Sequence, residues 1–342
     1  MKHNLKIILI LVSIFFIAQI IGLGILTQYV DIKTTYETGE TTLNMDVYQI
    51  SGITPPPVEK ESYSFIWIVL AVIIGTLMVL LIIKFRKKRL WKLWFFLSVI
   101  LTLIMAFVPF VKKIIESFFP VFIEQALFIT LIISAVFAYY KVFHKNILIH
   151  NFTELFIYGG LASIIAPILN MISASVLLIL ISGYDMYAVW YSKHMVAMAE
   201  FQTEDKVFAG LLIPYGNKNS KNKQNDKNTQ APKMPIPKKV SKINLKTAKT
   251  NIKAKKTVVT KVTKQRNAIL GGGDIAFPLL FAGAVMKYTG SFFLPLIISI
   301  TSAITLFLLF YYGKNDRYYP AMPFLSAGCF VGAGIVWLIT LL

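Results

Sequence analysis

Apolar residues gather in nine runs, at residues 5–30, 65–83, 93–111, 121–140, 152–169, 171–191, 268–288, 291–312 and 320–342. Each is close to the ~20 residues that a helix, rising 1.5 Å per residue, needs to cross a hydrocarbon core of roughly 30 Å. The pattern predicts an all-α, polytopic membrane protein with nine transmembrane helices. Residues 1–192 form helices one to six, 193–267 a loop, and 268–342 helices seven to nine. The first run follows Lys2, His3 and Lys6. It outlasts the 7–15 apolar residues typical of a signal peptide, so it reads as a retained helix. Residues 31–64, polar with six acids and the rigid Pro55-Pro56-Pro57, read as an exposed loop. Gly159-Gly160 and Pro167 in the fifth run are weak evidence for a site, because small and helix-breaking residues are common in membrane helices.

Charge orients these helices. Between Lys193 and Arg266 stand 18 Lys and Arg against four acids, so this one loop supplies most of the formal +19 of the 342-residue chain. Its middle, about 217–257, is rich in Lys, Asn, Thr and Pro and lacks aromatics. Such a stretch cannot bury enough apolar surface to offset chain entropy, so disorder is expected. Beside membrane helices a basic tract marks the cytosolic side and attracts anionic lipid headgroups; no nucleic-acid partner is expected. Alternating nine helices from a cytosolic N terminus puts the clusters at 84–92, 141–145, 193–266 and 313–317 inside, with Lys112-Lys113 the exception. The acidic 31–64 loop and the C terminus are then outside, in a multi-pass protein of the cell membrane. With one cysteine, Cys329, and four scattered histidines, no metal or cofactor is expected.

Two acids lie within the runs. Asp185 stands about six residues before the sixth run ends and Asp274 about six after the seventh begins. At 1.5 Å per residue both are roughly 9 Å from the cytosolic boundary. An ionisable group at such depth is costly, and a functional role is its default reading. Two close carboxylates cannot cheaply both be ionised, so a pair shares one proton. An aspartic protease uses that arrangement: the charged member takes a proton from the attacking water and the protonated member polarises the amide carbonyl. Glycines 271–273 leave room for a substrate backbone beside Asp274. Paired acids also serve proton-coupled transporters and ion channels, the competing reading at this point. Glu124 and Glu154, at run edges, read as interfacial, Tyr184 as a packing or hydrogen-bonding residue, and Cys329 as a small packing residue. The match of Asn151-Phe152-Thr153 to a glycosylation acceptor carries no weight, because this topology places it inside.

Tyr184-Asp185, then Gly271-Gly272-Gly273-Asp274, then Pro320-Ala321-Met322-Pro323 resemble the YD, GxGD and PAL motifs of the presenilin and signal peptide peptidase family. The order, the helices and the basic loop match as well, and the chain looks like an archaeal presenilin homologue. Met322 replaces the usual leucine, a volume-conserving exchange. The resemblance implies an intramembrane aspartic endopeptidase of the GxGD type, with Asp185 and Asp274 catalytic and Tyr184, Gly271–Gly273 and Pro320–Pro323 binding substrate or shaping the site. It implies substrates that are transmembrane helices of single-pass proteins or signal-peptide remnants, partly unwound where they are cut. A self-sufficient enzyme, as monomer or homo-oligomer, is the simplest form. Prepilin and preflagellin peptidases also carry GxGD, but no PAL-like segment is expected of them. Two segments suit strand addition by an extended substrate: Phe208–Pro214, and Thr257–Thr260 with Val262.

Overall fold

A computed structural model describes residues 5–57, 61–85, 87–118, 123, 125–144, 146–191, 208–215, 266–313 and 319–341. Membrane-length helices occur where the apolar runs predict them: α1 (Leu5–Tyr29), α4 (Ser64–Lys84), α5 (Lys88–Phe118), α6 (Ala126–Phe143), α7 (Ile147–Ile165) and α8 (Met171–Met186). After α8 come strands β1 (Gly210–Tyr215) and β2 (Arg266–Gly271), then α9 (Gly272–Thr289), α10 (Leu294–Tyr312) and α11 (Met322–Leu341). Among the described residues, eight helices are long and apolar enough to cross a membrane by length and composition. The helix outside that set is α9, which carries Asp274 and Lys287. It sits at the centre, packed on α1, α7, α8, α10 and α11, with every residue from Pro278 to Lys287 buried. A helix walled in by other helices meets little lipid and can carry polar and small residues. By contrast α4 packs on α5 and α8 and turns large apolar side chains such as Trp67, Ile74 and Leu77 outward. In a bilayer that face meets acyl chains.

The 31–64 segment departs from an exposed loop. It forms α2 (Ile32–Thr38), α3 (Met45–Ser51) and a short 3-10 turn at Glu61–Tyr63. Asp31 accepts from the amides of Lys33 and Thr34, both at 3.2 Å, and Gly39 closes α2 with φ 72°. Hydrogen bonds from the Thr34 side chain and amide hold the Asp31 carboxyl below its usual range. Tyr48 of α3 is buried, and its hydroxyl donates to the Ser163 carbonyl at 2.6 Å; burial pushes its pKa up, so it remains a donor. Glu61 takes the buried ammonium of Lys287 at 3.3 Å, and Lys287 also donates to Thr41 Oγ1 and the Pro167 carbonyl, each at 2.8 Å. One of the segment's six acids, Glu61, is therefore a counter-ion for α9.

Gly159-Gly160 has a packing role. A methyl group at Gly160 would run into the Thr102 carbonyl of α5, and one at Gly159 into Ile25 of α1. These glycines let α7 approach both neighbours closely. Because the obstacle at Gly160 is backbone, Gly160→Ala is expected to destabilise the fold by about 1–3 kcal/mol, the range for overpacking, read as a lower unfolding midpoint in detergent.

Beyond β2 the seventh run changes character. Residues 268–271 lie in a strand paired with β1, and the helix starts only at Gly272. Of the two segments suited to strand addition, Phe208–Pro214 contains most of β1, whereas Thr257–Val262 lies outside the described residues, as do Glu124 and 216–265 of the basic loop. The second strand observed is the stretch leading into the glycines.

Candidate active site

Asp185 lies one residue before the end of α8, just ahead of a π-helical turn at Tyr187–Tyr191. Its carboxylate is buried and accepts from the Met322 amide at 3.1 Å and from the Ala321 amide. The Pro320–Pro323 segment supplies those donors. Ala321 is the residue whose carbonyl accepts the first helical bond of α11, from Leu325, so the amides near it have no partner within the helix. Pro323 falls in the first turn, where a missing N–H costs nothing. The start of α11 is thus an anion-binding helix terminus, and Asp185 fills it from α8.

Asp274 occupies the third position of α9, and Gly271 stands at the N-cap. The Asp274 carboxylate accepts from the Gly271 amide, the reciprocal half of a capping box, and lies in the field of its own helix terminus. Four residues on, Pro278 lacks the amide that would reach the Asp274 carbonyl, which loosens this first turn. Gln19 of α1 braces it by donating Nε2–H to the Ile275 carbonyl at 2.9 Å. The two carboxylates lie within range of each other's charge, brought from packed helices α8 and α9. Each carboxylate is therefore set at the amino end of a helix, Asp185 at that of α11 and Asp274 at that of α9.

The remaining residues singled out in the sequence divide. Gly273 is exposed, while Gly272 lies against the hydroxyl of Tyr158, where a Cβ would come to 3.0 Å from that oxygen. Tyr184 reaches α4, donating to Thr76 Oγ1 at 3.2 Å. Cys329 is buried in α11. Glu154 is not interfacial: it is 1 % exposed and ion-paired with the equally buried Lys141. Asn151 makes two hydrogen bonds to Leu212. One turn above Asp185, Ser182 and Ser326 share a hydrogen bond of 2.7 Å that ties α8 to α11. Gln19, Lys141, His150, Tyr158, Ser182 and Ser326 carried no motif. A signal was nevertheless present for α7, where 150, 154 and 158 recur every four residues and so share one face.

A cavity of about 760 Å³ lies at the other end of α9, lined by Tyr36, Lys287 and Trp337 among others. Neither aspartate lines it, so it is separate from this site. No group of three or more His, Cys, Asp or Glu able to hold a metal occurs among the described residues.

A model of the family described as "Signal-peptide peptidase, presenilin aspartyl protease" matches residues 42–342. Two solved structures of a presenilin family intramembrane aspartate protease, in space groups P2 and C222, are similar in fold. The first has TM-score 0.58 at 14% identity, covering 96% of both chains. The second has TM-score 0.57 at 16% identity, covering 97% of this chain and 99% of the other. No curated protein matches this chain.

Proposed function

Since the chain belongs to the signal-peptide peptidase and presenilin aspartyl protease family, we propose that it hydrolyses peptide bonds within transmembrane segments of single-pass membrane proteins or signal-peptide remnants, with Asp185 and Asp274 as the catalytic pair. The observation that carries this reading is the placement of the two carboxylates on packed helices α8 and α9, each at the amino end of a different helix. In the reaction, water oxygen attacks the amide carbon while the charged carboxylate takes a water proton. The protonated carboxyl holds the carbonyl oxygen as it gains charge. The C–N bond then breaks, and the amine nitrogen leaves with a proton from the pair.

The Pro320–Pro323 segment acts on the site through the backbone amides it gives to Asp185, which explains why Met322 can replace leucine there: the side chain is not the donor. The two-stranded sheet beside Asp274 supports reception of an unwound substrate as an added strand. One edge of β1 is taken by α7 side chains, so the incoming strand is proposed to pair with β2. The test is incubation of the full chain in liposomes with a single-pass substrate and mass determination of the products. Cuts inside the apolar segment are expected; cuts confined to flanking soluble residues would count against the reading.

A cytosolic N terminus and basic loop, with an outside C terminus, complete the proposal on the distribution of Lys and Arg. With Cys329→Ser as background, Glu37→Cys is expected to react with an impermeant maleimide in intact cells and Thr250→Cys only after permeabilisation. The reverse pattern would invert the topology.

A further inference from the structure

Helix α7 turns a polar face to β1, and its side chains stand in for a partner strand. In an extended chain, alternate residues present N–H and C=O to the same edge. On this edge the Gly210 amide donates to Glu154 Oε1 at 3.1 Å, and the Gly210 carbonyl accepts from His150 Nε2 at 2.8 Å. The Leu212 amide donates to Asn151 Oδ1 at 3.0 Å, and the Leu212 carbonyl accepts from Asn151 Nδ2 at 2.8 Å. All four backbone groups of these two residues are therefore satisfied by α7. The carbonyl of Gly210 can only accept, so His150 carries its proton on Nε2. The ammonium of Lys141, which can only donate, lies 3.4 Å from Nδ1. Gly210 has φ 142° and no room for a side chain beside the Leu270 carbonyl, which fixes the strand at that residue.

The same carboxylate leads to the candidate site. Glu154 Oε1 takes the Lys141 ammonium and Oε2 takes the Tyr158 hydroxyl. Tyr158 lies against Gly272 and within range of the Asp274 charge. The Gly272 amide in turn donates to the Ala209 carbonyl at 3.1 Å, next to the anchored Gly210. Two routes thus run from Glu154 to the turn that presents Asp274, one through Tyr158 and one through β1.

We infer that Glu154 and Tyr158, supported by Lys141, His150 and Asn151, are positioning residues that set where Asp274 stands by holding β1 and the Gly271–Gly273 turn. The inference rests on the protease reading above. It assigns these buried polar groups a part in turnover beyond their part in folding.

The test compares the full-length chain in liposomes with Tyr158→Phe and with Lys141→Met/Glu154→Met, measuring kcat, KM and the unfolding midpoint, beside Asp274→Asn. An apolar pair of similar volume commonly replaces a buried ion pair without loss of stability. The double variant also takes the acceptor from the Gly210 amide and the Tyr158 hydroxyl, so it is expected to fold with a lowered midpoint, whereas Tyr158→Phe is expected to unfold near the wild-type midpoint. Displacement of a reacting group by about 1 Å costs about 10²-fold, so kcat is expected to fall by about that factor with KM unchanged. A folded Tyr158→Phe with wild-type kcat overturns the proposal, as does a kcat loss that merely follows the unfolding midpoint. If the double variant fails to fold, Tyr158→Phe, which removes one oxygen, decides alone. If wild type cuts nothing, or Asp274→Asn cuts as well as wild type, the protease reading itself has failed and this proposal falls with it.

Discussion

Asp185→Asn and Asp274→Asn are each expected to lower kcat/KM by about 10³-fold or more, and the double variant is expected to be little worse than either. Losing a general acid or base alone costs about 10²–10⁴-fold. Residues that act as one unit give strongly non-additive losses, because the first removal already disables the pair. The amide replacement suits the surroundings. Asparagine in place of Asp185 keeps an oxygen for the Met322 amide, and in place of Asp274 it keeps one for the Gly271 amide, so neither exchange should leave a buried donor orphaned. Both variants should therefore unfold at or above the wild-type midpoint, separating chemistry from stability. In wild type, kcat/KM should rise and then fall with pH, with two apparent values that belong to the pair. A single Asp→Asn variant that cuts at the wild-type rate would remove the dyad. So would a wild-type profile that is flat from pH 4 to 9.

Much of this architecture is visible in the chain because membrane helices announce themselves by run length. The two aspartates were equally visible, as acids within apolar runs. What escaped was local pairing. Ala268–Leu270 reads as the start of a helix, since a short apolar run fits either state until tertiary contacts decide. Pairing with β1 makes it a strand and moves the helix start to Gly272, so Asp274 stands at a helix terminus instead of well inside one. The 31–64 segment hid less: Asp31 and Gly39 are the cap residues that bracket a short helix, although its polar composition reads as loop. Glu154 was misread for a different reason. Its counter-ion, Lys141, stands 13 residues away across a helix connection, where no periodic spacing joins them. Lys287 and Glu61 are further apart still, and only the packing of α9 against the outer segment brings them together.

Lys141→Met is expected to be the costliest single substitution for stability, at about 3–5 kcal/mol, the usual range for breaking a buried pair from one side. Lys141 and Glu154 expose only 1% and 2% of their side chains, so the Glu154 carboxylate left behind would have neither its cation nor water. The Gly210 amide and the Tyr158 hydroxyl would still donate to it. Two neutral donors do not replace an ammonium in a low-dielectric interior, and desolvation of an unpaired charge dominates. The complementary variant, Glu154→Met, strands the ammonium instead, with His150 Nδ1 as a remaining acceptor. Combining the two removes both charges but leaves the Gly210 amide and the Tyr158 hydroxyl without their acceptor, so the double variant should recover part of the loss. A double-mutant cycle on the free energy of unfolding in detergent checks this, with a coupling of at least about 2 kcal/mol expected between contacting sites. If the single variants sum to the double, the pair contributes nothing as a pair. The contacts of Glu154 with Gly210 and Tyr158 would then have to hold β1 without help from Lys141.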